Sequence, residues 1–318
     1  MTAKAPGNVF VCGLHRSGTT LLTNAIASHP EIACFKNTPA IEQEGQFLQN
    51  ILPIGQAFGG AGRFAFDSGS HMTEHSPYAT QANAAAMAAQ WAQYHQANRS
   101  WLVEKSPPNL LRTRLLQSMF PTARFIILTR HPIAVALATQ KWTHTSPFSL
   151  IAHWLRAHEI LAADLPHLRR VMMISYESFI KTPSREMDRI WRFLDLPPHP
   201  IDIETHDRNR PYFDRWLHAL SQVAAPALPP QRSVWQSLCK KLAFSTANAA
   251  ALKRLQFGRY SDTYDAIMAF DRLIRAHGYS LSDLSLSPVN GGEPAAFPVF
   301  GTNEKTGMKT RSHALFPS

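Results

Sequence analysis

The chain has 318 residues, 45% of them hydrophobic and 17% charged, and its 32 Lys and Arg against 22 Asp and Glu give a formal net charge of +10. That length buries one large core or two small ones. A cation excess suits nucleic acid, an anionic membrane surface or a highly anionic small ligand, but the basic residues here are scattered, form no Lys/Arg block and carry no nucleic-acid-module motif, which argues against nucleic acid.

In chain order, Val9–Cys12 is a short apolar run with the β-branched content of a buried strand. It breaks at Gly13 into a turn of small residues, after which Leu21, Leu22, Ala25 and Ile26 recur at helical spacing. Strand, glycine turn and helix together aim backbone N–H groups and a helix N-terminus at a phosphate. The spacing from Gly13 to Gly18 is that of a nucleotide-phosphate loop, yet Thr19 stands where such a loop has its lysine, and the nearest cation is Arg16. Residues 45–80 hold the Gly-rich stretch Gly55–Gly62, followed by an Ala-rich helix over about 81–97. Trp101–Val103 is a further strand, followed by Glu104-Lys105-Ser106-Pro107-Pro108 and a helix bearing Leu110, Leu111, Leu115, Leu116 and Met119. Phe125–Leu128 is the clearest buried strand and stops at Thr129-Arg130-His131-Pro132, where proline suits the first turn of the next helix. A helix over about 149–165 leads to the strand Val171–Ile174, then Ser175-Tyr176-Glu177, and Thr182-Pro183 opens a helix with Met187, Ile190, Trp191 and Leu194 on one face. Beyond residue 205 the pattern is helical, at about 211–223, 233–256 and 261–277, and from Ser287 periodicity fades into an expected disordered tail. The alternation predicts an α/β fold: a three-layer parallel sheet with helices on both faces, similar to a P-loop NTPase, plus a helical C-terminal part.

The run Gly13-x-x-Arg16-Ser17-Gly18-Thr19-Thr20-Leu21 resembles the 5′-phosphosulfate loop of sulfotransferases, which use 3′-phosphoadenosine 5′-phosphosulfate (PAPS). The resemblance implies one sulfotransferase domain over residues 8–285, with 45–97 as a lid or acceptor-binding region, a helical part at 205–285 and a tail at 286–318. It implies that His15, Arg16, Ser17, Gly18, Thr19 and Thr20 bind the donor nucleotide. Arg130-His-Pro132 resembles the second nucleotide motif, in which a strand-end arginine and a serine eight positions later grip the 3′-phosphate. Here position 138 is alanine, so Thr139 or a backbone group is expected in the serine's place. Val171 to Glu177 resembles the strand whose tyrosine, here Tyr176, contacts the adenine, and Thr182-Pro183 and Phe193-Leu-Asp-Leu196 are also similar to the family.

Val103-Glu104-Lys105-Ser106-Pro107 matches the strand end that carries the family's catalytic lysine. Sulfuryl transfer needs in-line placement and cations where charge builds on the bridging oxygen, which Arg16 and Lys105 would supply without a metal. The base departs from the family. Some relatives carry histidine two positions after this lysine, where Pro107 stands, and the protein-tyrosine and heparan-type relatives use a glutamate whose position falls at about Asn37. Glu44, and after it Glu42, are the carboxylates expected to take the acceptor's proton; His71, His75, His131 and His144 are further candidates. No metal-ligand spacing is present, so no metal is expected. An ATP- or GTP-dependent P-loop kinase is disfavoured by Thr19, and a non-catalytic nucleotide-binding relative is the third reading.

The expected reaction moves a sulfuryl group from PAPS to a hydroxyl of a glycan, a glycolipid or a similar small metabolite, with Phe58, Phe64, Phe66, Trp142 and Trp216 as stacking surfaces. Cys12, Cys34 and Cys239 form neither a disulfide framework nor a zinc pattern. With no signal peptide in the short Met1–Gly7 stretch and no apolar run of membrane-spanning length, the expectation is a cytoplasmic protein without a transmembrane segment.

Overall fold

The computed structural model describes residues 6–224 and 260–288. Five parallel strands form one sheet: β1 (Gly7–Cys12), β2 (Ile32–Cys34), β3 (Trp101–Lys105), β4 (Arg124–Thr129) and β5 (Val171–Ser175), in the order β2-β3-β1-β4-β5. The α/β reading and four of the strands match the sequence pattern. The fifth, β2, is a three-residue edge strand paired with β3 through Ile32↔Trp101 to Cys34↔Val103, too short to stand out as periodicity. β3 and β4 run past their apolar stretches, so Glu104, Lys105 and Thr129 are strand residues.

Alternation along the strands sorts the core into two layers. On one face Val9, Val11, Val103, Ile126 and Leu128 pack against α1 (Thr19–Ile26), α6 (Tyr176–Lys181) and α7 (Pro183–Phe193), with Trp191 fully buried. On the other, Phe10, Cys12, Leu102, Phe125 and Ile127 face α2 (Gln81–Trp91), α3 (Thr113–Met119), α4 (Pro132–Thr143) and α5 (Pro147–Asp164). Local chemistry starts these helices as expected. Thr80 and Ser146 cap α2 and α5 by accepting from Asn83 and Ser149 N–H, and proline opens α4, α5 and α7. Among the described residues, two helices follow residue 205: α8 (Arg210–Ala224) and α9 (Tyr260–Arg275). The Trp216 indole of α8 donates to the Leu281 carbonyl at 2.7 Å, tying α8 to the segment after α9. The helix expected at 233–256, Cys239 and the tail beyond residue 288 lie outside the described residues.

The segment expected as a lid or acceptor-binding surface is fastened into the core. Residues 45–80 run through short 3₁₀ turns, and Leu48, Leu52, Phe64, Ala65 and Met72 are buried in the layer around Phe10. This corrects the stacking assignment of two aromatics: Phe64 (0% exposed) and Trp216 (5%) are core, because their rings fill the space between the segment, α5 and α8. Phe66 and Trp142 are exposed, and Phe58 is half-buried. Truncating a fully buried phenylalanine leaves a cavity, so Phe64→Ala is expected to destabilise the protein by about 3–5 kcal/mol in chemical denaturation. A loss below about 1 kcal/mol would mean the segment detaches from the core without unfolding it.

Candidate active site

β1 ends at Cys12 in the middle of the sheet, and the loop from Gly13 climbs onto α1. Gly18 caps that helix in the left-handed region at φ 94°, and no side chain caps it. A Cβ at Gly18 would stand 2.7 Å from the Tyr176 ring, so glycine is required both by conformation and by space. The first-turn N–H groups of a helix have no intrahelical acceptor, a chemistry that suits an anion. Arg16 is also left-handed, at φ 66°. Its exposed guanidinium lies over the Trp142 ring at 4.5 Å, while its carbonyl accepts from Arg130 Nη1 at 2.8 Å.

Arg130, just past β4, is buried. Nε donates to Asn209 Oδ1 at 2.8 Å, the guanidinium sits 4.1 Å over the Tyr176 ring, and Nη2 is buried with no hydrogen-bond partner. Burial lowers its pKa from the usual arginine value, against the Tyr176 and Glu177 charges that raise it. A cation with one orphaned donor, beside an uncapped helix start, fits a phosphate-bearing nucleotide such as PAPS. Tyr176 is wedged between Gly18 and Arg130, its hydroxyl donating to the His206 carbonyl and accepting from Arg208 N–H. Ser17 and Thr19 are buried in the loop, with Ser17 N–H on the Leu14 carbonyl. His15 is half-buried beside Phe64, with a buried Nδ1 left unpartnered, and desolvation together with the Lys105 charge lowers its pKa to about 4. Thr139 lies against Gly62 with a buried, unpartnered hydroxyl, and no hydrogen bond joins it to Arg130.

On the other side of the loop, Lys105 and both candidate carboxylates meet. Lys105 Nζ reaches the Glu42 carbonyl at 3.2 Å, Glu44 Oε1 at 3.4 Å and Glu42 Oε2 at 3.9 Å. Thr20 Oγ1 donates to Glu42 Oε2 at 3.2 Å and so links this cluster to α1. All three lysine contacts are longer than the roughly 2.7–2.9 Å of a tight charge-assisted bond, so the ammonium is confined but not saturated. Burial raises the Glu44 pKa, against the Lys105 charge that lowers it.

Glu104 holds this arrangement together. It accepts from Gly45 N–H at 2.9 Å, from Ser106 Oγ at 2.5 Å and from Asn109 Nδ2. Ser106 Oγ in turn accepts from Gln46 N–H, and Gln46 Nε2 donates to Glu44. The chain carrying Glu42 and Glu44 is thereby pinned to the end of β3, through two left-handed residues, Glu42 and Gln43. Burial pushes the Glu104 pKa up to about 7.

His71 pairs with the buried Asp164 at 3.0 Å, His131 is sealed against Phe213 and Tyr279, and His75 and His144 are exposed. Sequence reading missed Glu104, Glu177 and Asn209. Glu104 and Glu177 were legible as strand-end acids beside motif residues, whereas Asn209 lies in irregular chain with no local signal. A cavity of about 390 Å³ lined by His131, Glu177, Lys181, Asp207, Asn209 and Ser285 adjoins Arg130 through Asn209. Among the described residues, no group of three or more His, Cys, Asp or Glu could hold a metal ion.

Residues 6–200 match the model of the sulfotransferase family. Among curated proteins, the chain is 25% identical over 200 residues to protein-tyrosine sulfotransferase 2 of Gallus gallus, covering 59% of this chain and 51% of that one. It is 26% identical over 200 residues to protein-tyrosine sulfotransferase 1 of Danio rerio, covering 59% and 53%. The chain thus spans about half the length of these relatives. Among solved structures, a sulfotransferase from Mycobacterium avium aligns with a TM-score of 0.45 at 17% identity, over 83% of this chain and 78% of that one.

Burial lowers His131, His153 and His158 to a pKa of about 3, so the unfolded chain binds more protons than the native one between about pH 6.5 and 3. Glu104 acts with the opposite sign between about 4.5 and 7, and burial raises Glu44 and Glu177 in the same sense, but His15 and His277, each lowered to about 4, add to the three histidines and leave them dominant. Stability is therefore expected to fall as pH drops from 6.5 to 4, read as the denaturant midpoint. His153→Phe, which fills a site packed edge-on to Phe64, is expected to flatten that limb. A midpoint independent of pH over this range contradicts the assignment of buried neutral histidines.

Proposed function

Because this chain belongs to the sulfotransferase family, we propose that it transfers the sulfuryl group of PAPS to an acceptor hydroxyl and releases 3′-phosphoadenosine 5′-phosphate (PAP). The observation that carries this reading is Lys105. A buried ammonium sits at the end of β3, within 4 Å of two carboxylates, one of which is bonded to α1 of the phosphate loop.

When bound, PAPS supplies the sulfuryl group and a phosphate leaving group. Arg130 offers its free Nη2 to the 3′-phosphate, and the start of α1 offers its N–H groups to the 5′ side. Lys105 gives positive charge where the bridging oxygen becomes anionic, and Arg16, released from Trp142, is positioned to add a second charge. Glu44 accepts the proton of the acceptor hydroxyl as its oxygen bonds to sulfur. Its raised pKa brings it nearer to working pH than an exposed carboxylate. Glu42 is half-exposed and shared between Thr20 and Lys105, which suits it better to holding the lysine.

The acceptor reading shifts from the glycan or glycolipid hydroxyl expected from sequence. The relatives are named protein-tyrosine sulfotransferases, so the phenolic hydroxyl of a peptide tyrosine is the acceptor proposed first.

The test is turnover of ³⁵S-labelled PAPS over tyrosine peptides, glycans, glycolipids and simple phenols. Glu44→Gln is expected to lower turnover about 10²–10⁴-fold with PAP affinity intact, the span of a lost general base. Lys105→Ala is expected to lower kcat strongly while leaving most PAP affinity, since its charge matters as the leaving oxygen develops. Near-normal turnover of Lys105→Ala at saturation would overturn the assignment. Activity on glycans alone would restore the carbohydrate reading of the acceptor and leave the transfer chemistry standing.

A further inference from the structure

Arg130 is held by an unusual partner. A buried guanidinium generally meets a carboxylate, and a half-buried carboxylate, Glu177, is close by. The two do not touch. Asn209, 2% exposed, stands between them, accepting from Arg130 Nε with Oδ1 at 2.8 Å and donating Nδ2 to Glu177 Oε1 at 2.7 Å. A neutral amide meets a donor with its oxygen on one side and an acceptor with its nitrogen on the other, so these neighbours fix its orientation.

Glu177 is immobilised in turn. Oε1 also accepts from His131 N–H at 3.0 Å, and Oε2 from the Tyr279 hydroxyl at 3.1 Å, which lies 3.0 Å from Thr129 Oγ1. The frame thus reaches from β4 to the chain after α9, and both Asn209 and Tyr279 lie beyond the residues 6–200 that match the family. The far side of the fork is fixed by the Arg16 carbonyl, which leaves Nη2 as the one buried nitrogen of Arg130 without a partner.

We propose that Asn209 is a positioning residue that locks Arg130 with Nη2 directed at the 3′-phosphate and keeps the Glu177 charge one amide away from the guanidinium. A direct Arg130–Glu177 pair would place the arginine equally well but would neutralise the charge that an incoming phosphate needs. This inference rests on the PAPS reading above.

The test is calorimetric binding of PAP and of 5′-AMP, which lacks the 3′-phosphate, to the wild-type chain, Asn209→Ala, Arg130→Ala and the double variant. Asn209→Ala is expected to weaken PAP about tenfold while AMP changes by less than about twofold, and the double variant should bind PAP no more weakly than Arg130→Ala alone. A merely structural residue would weaken both ligands alike and add to Arg130→Ala. Asn209→Asp keeps the acceptor for Nε but sets a carboxylate on the guanidinium. It carries the test if the alanine variant does not fold, and a selective loss of PAP affinity is expected. Wild-type PAP affinity in Asn209→Asp overturns the charge-spacing role, and unchanged PAP-over-AMP preference in Asn209→Ala overturns the positioning role. A wild-type chain that binds PAP no better than AMP overturns the PAPS reading and this inference with it.

Discussion

The Tyr176 ring, pressed between Gly18 and the Arg130 guanidinium, is the contact on which the site depends. It joins three separate pieces of chain: the loop after β1, the end of β4 and the start of α6. Its approach leaves no room for a side chain at Gly18, whose left-handed turn also calls for glycine, and the start of α1 has no side-chain cap. The guanidinium lies 4.1 Å over that ring while its Nε and Nη1 meet Asn209 and the Arg16 carbonyl. The loop and the arginine are thereby fixed relative to each other before any ligand arrives. The strand order places this contact where it is needed, because β1 and β4 lie side by side and the connections diverge from them, the kind of crevice in which open α/β sheets bind ligands.

The second constraint is electrostatic. Lys105 and Glu44 are buried, with side chains 5% and 9% exposed, and the adjacent Glu104 is buried as well. Buried ion pairs are poor contributors to stability, since desolvation can exceed the attraction. Two acids around one lysine, at distances too long for tight pairing, make still less sense as a structural device. They make sense as a preorganised charge distribution, with the cation confined beside the phosphate loop and a carboxylate of raised pKa within reach of it. Glu104 contributes from one residue away, holding through Gly45, Ser106 and Asn109 the backbone that delivers Glu42 and Glu44.

What the sequence made legible follows from how local each signal is. The loop, Lys105, Arg130 and Tyr176 sit at strand ends, and a strand is readable from its own apolar run, so motif and placement were recoverable together. Glu44 and Glu42 were legible as acids after the first helix, but their meeting with Lys105 depends on the Gly45 and Gln46 bonds to β3, which no periodicity encodes. β2 escaped because three residues carry no period, and Asn209 because its role comes from Arg130, 79 positions away. The core placement of Phe64 and Trp216 escaped for the opposite reason: isolated aromatics in an irregular or helical stretch look the same whether they stack on a ligand or fill a core.

The central claim is that fixed cations and a helix start, with no metal among them, hold a doubly phosphorylated nucleotide. Thermal and chemical unfolding with PAP in the presence of a chelator, set against ATP with magnesium, tests it most directly. PAP without magnesium is expected to stabilise the chain by about 2.7 kcal/mol at a hundredfold excess over its dissociation constant, and ATP to do far less. A shift that requires magnesium and is equally large with ATP would contradict the account.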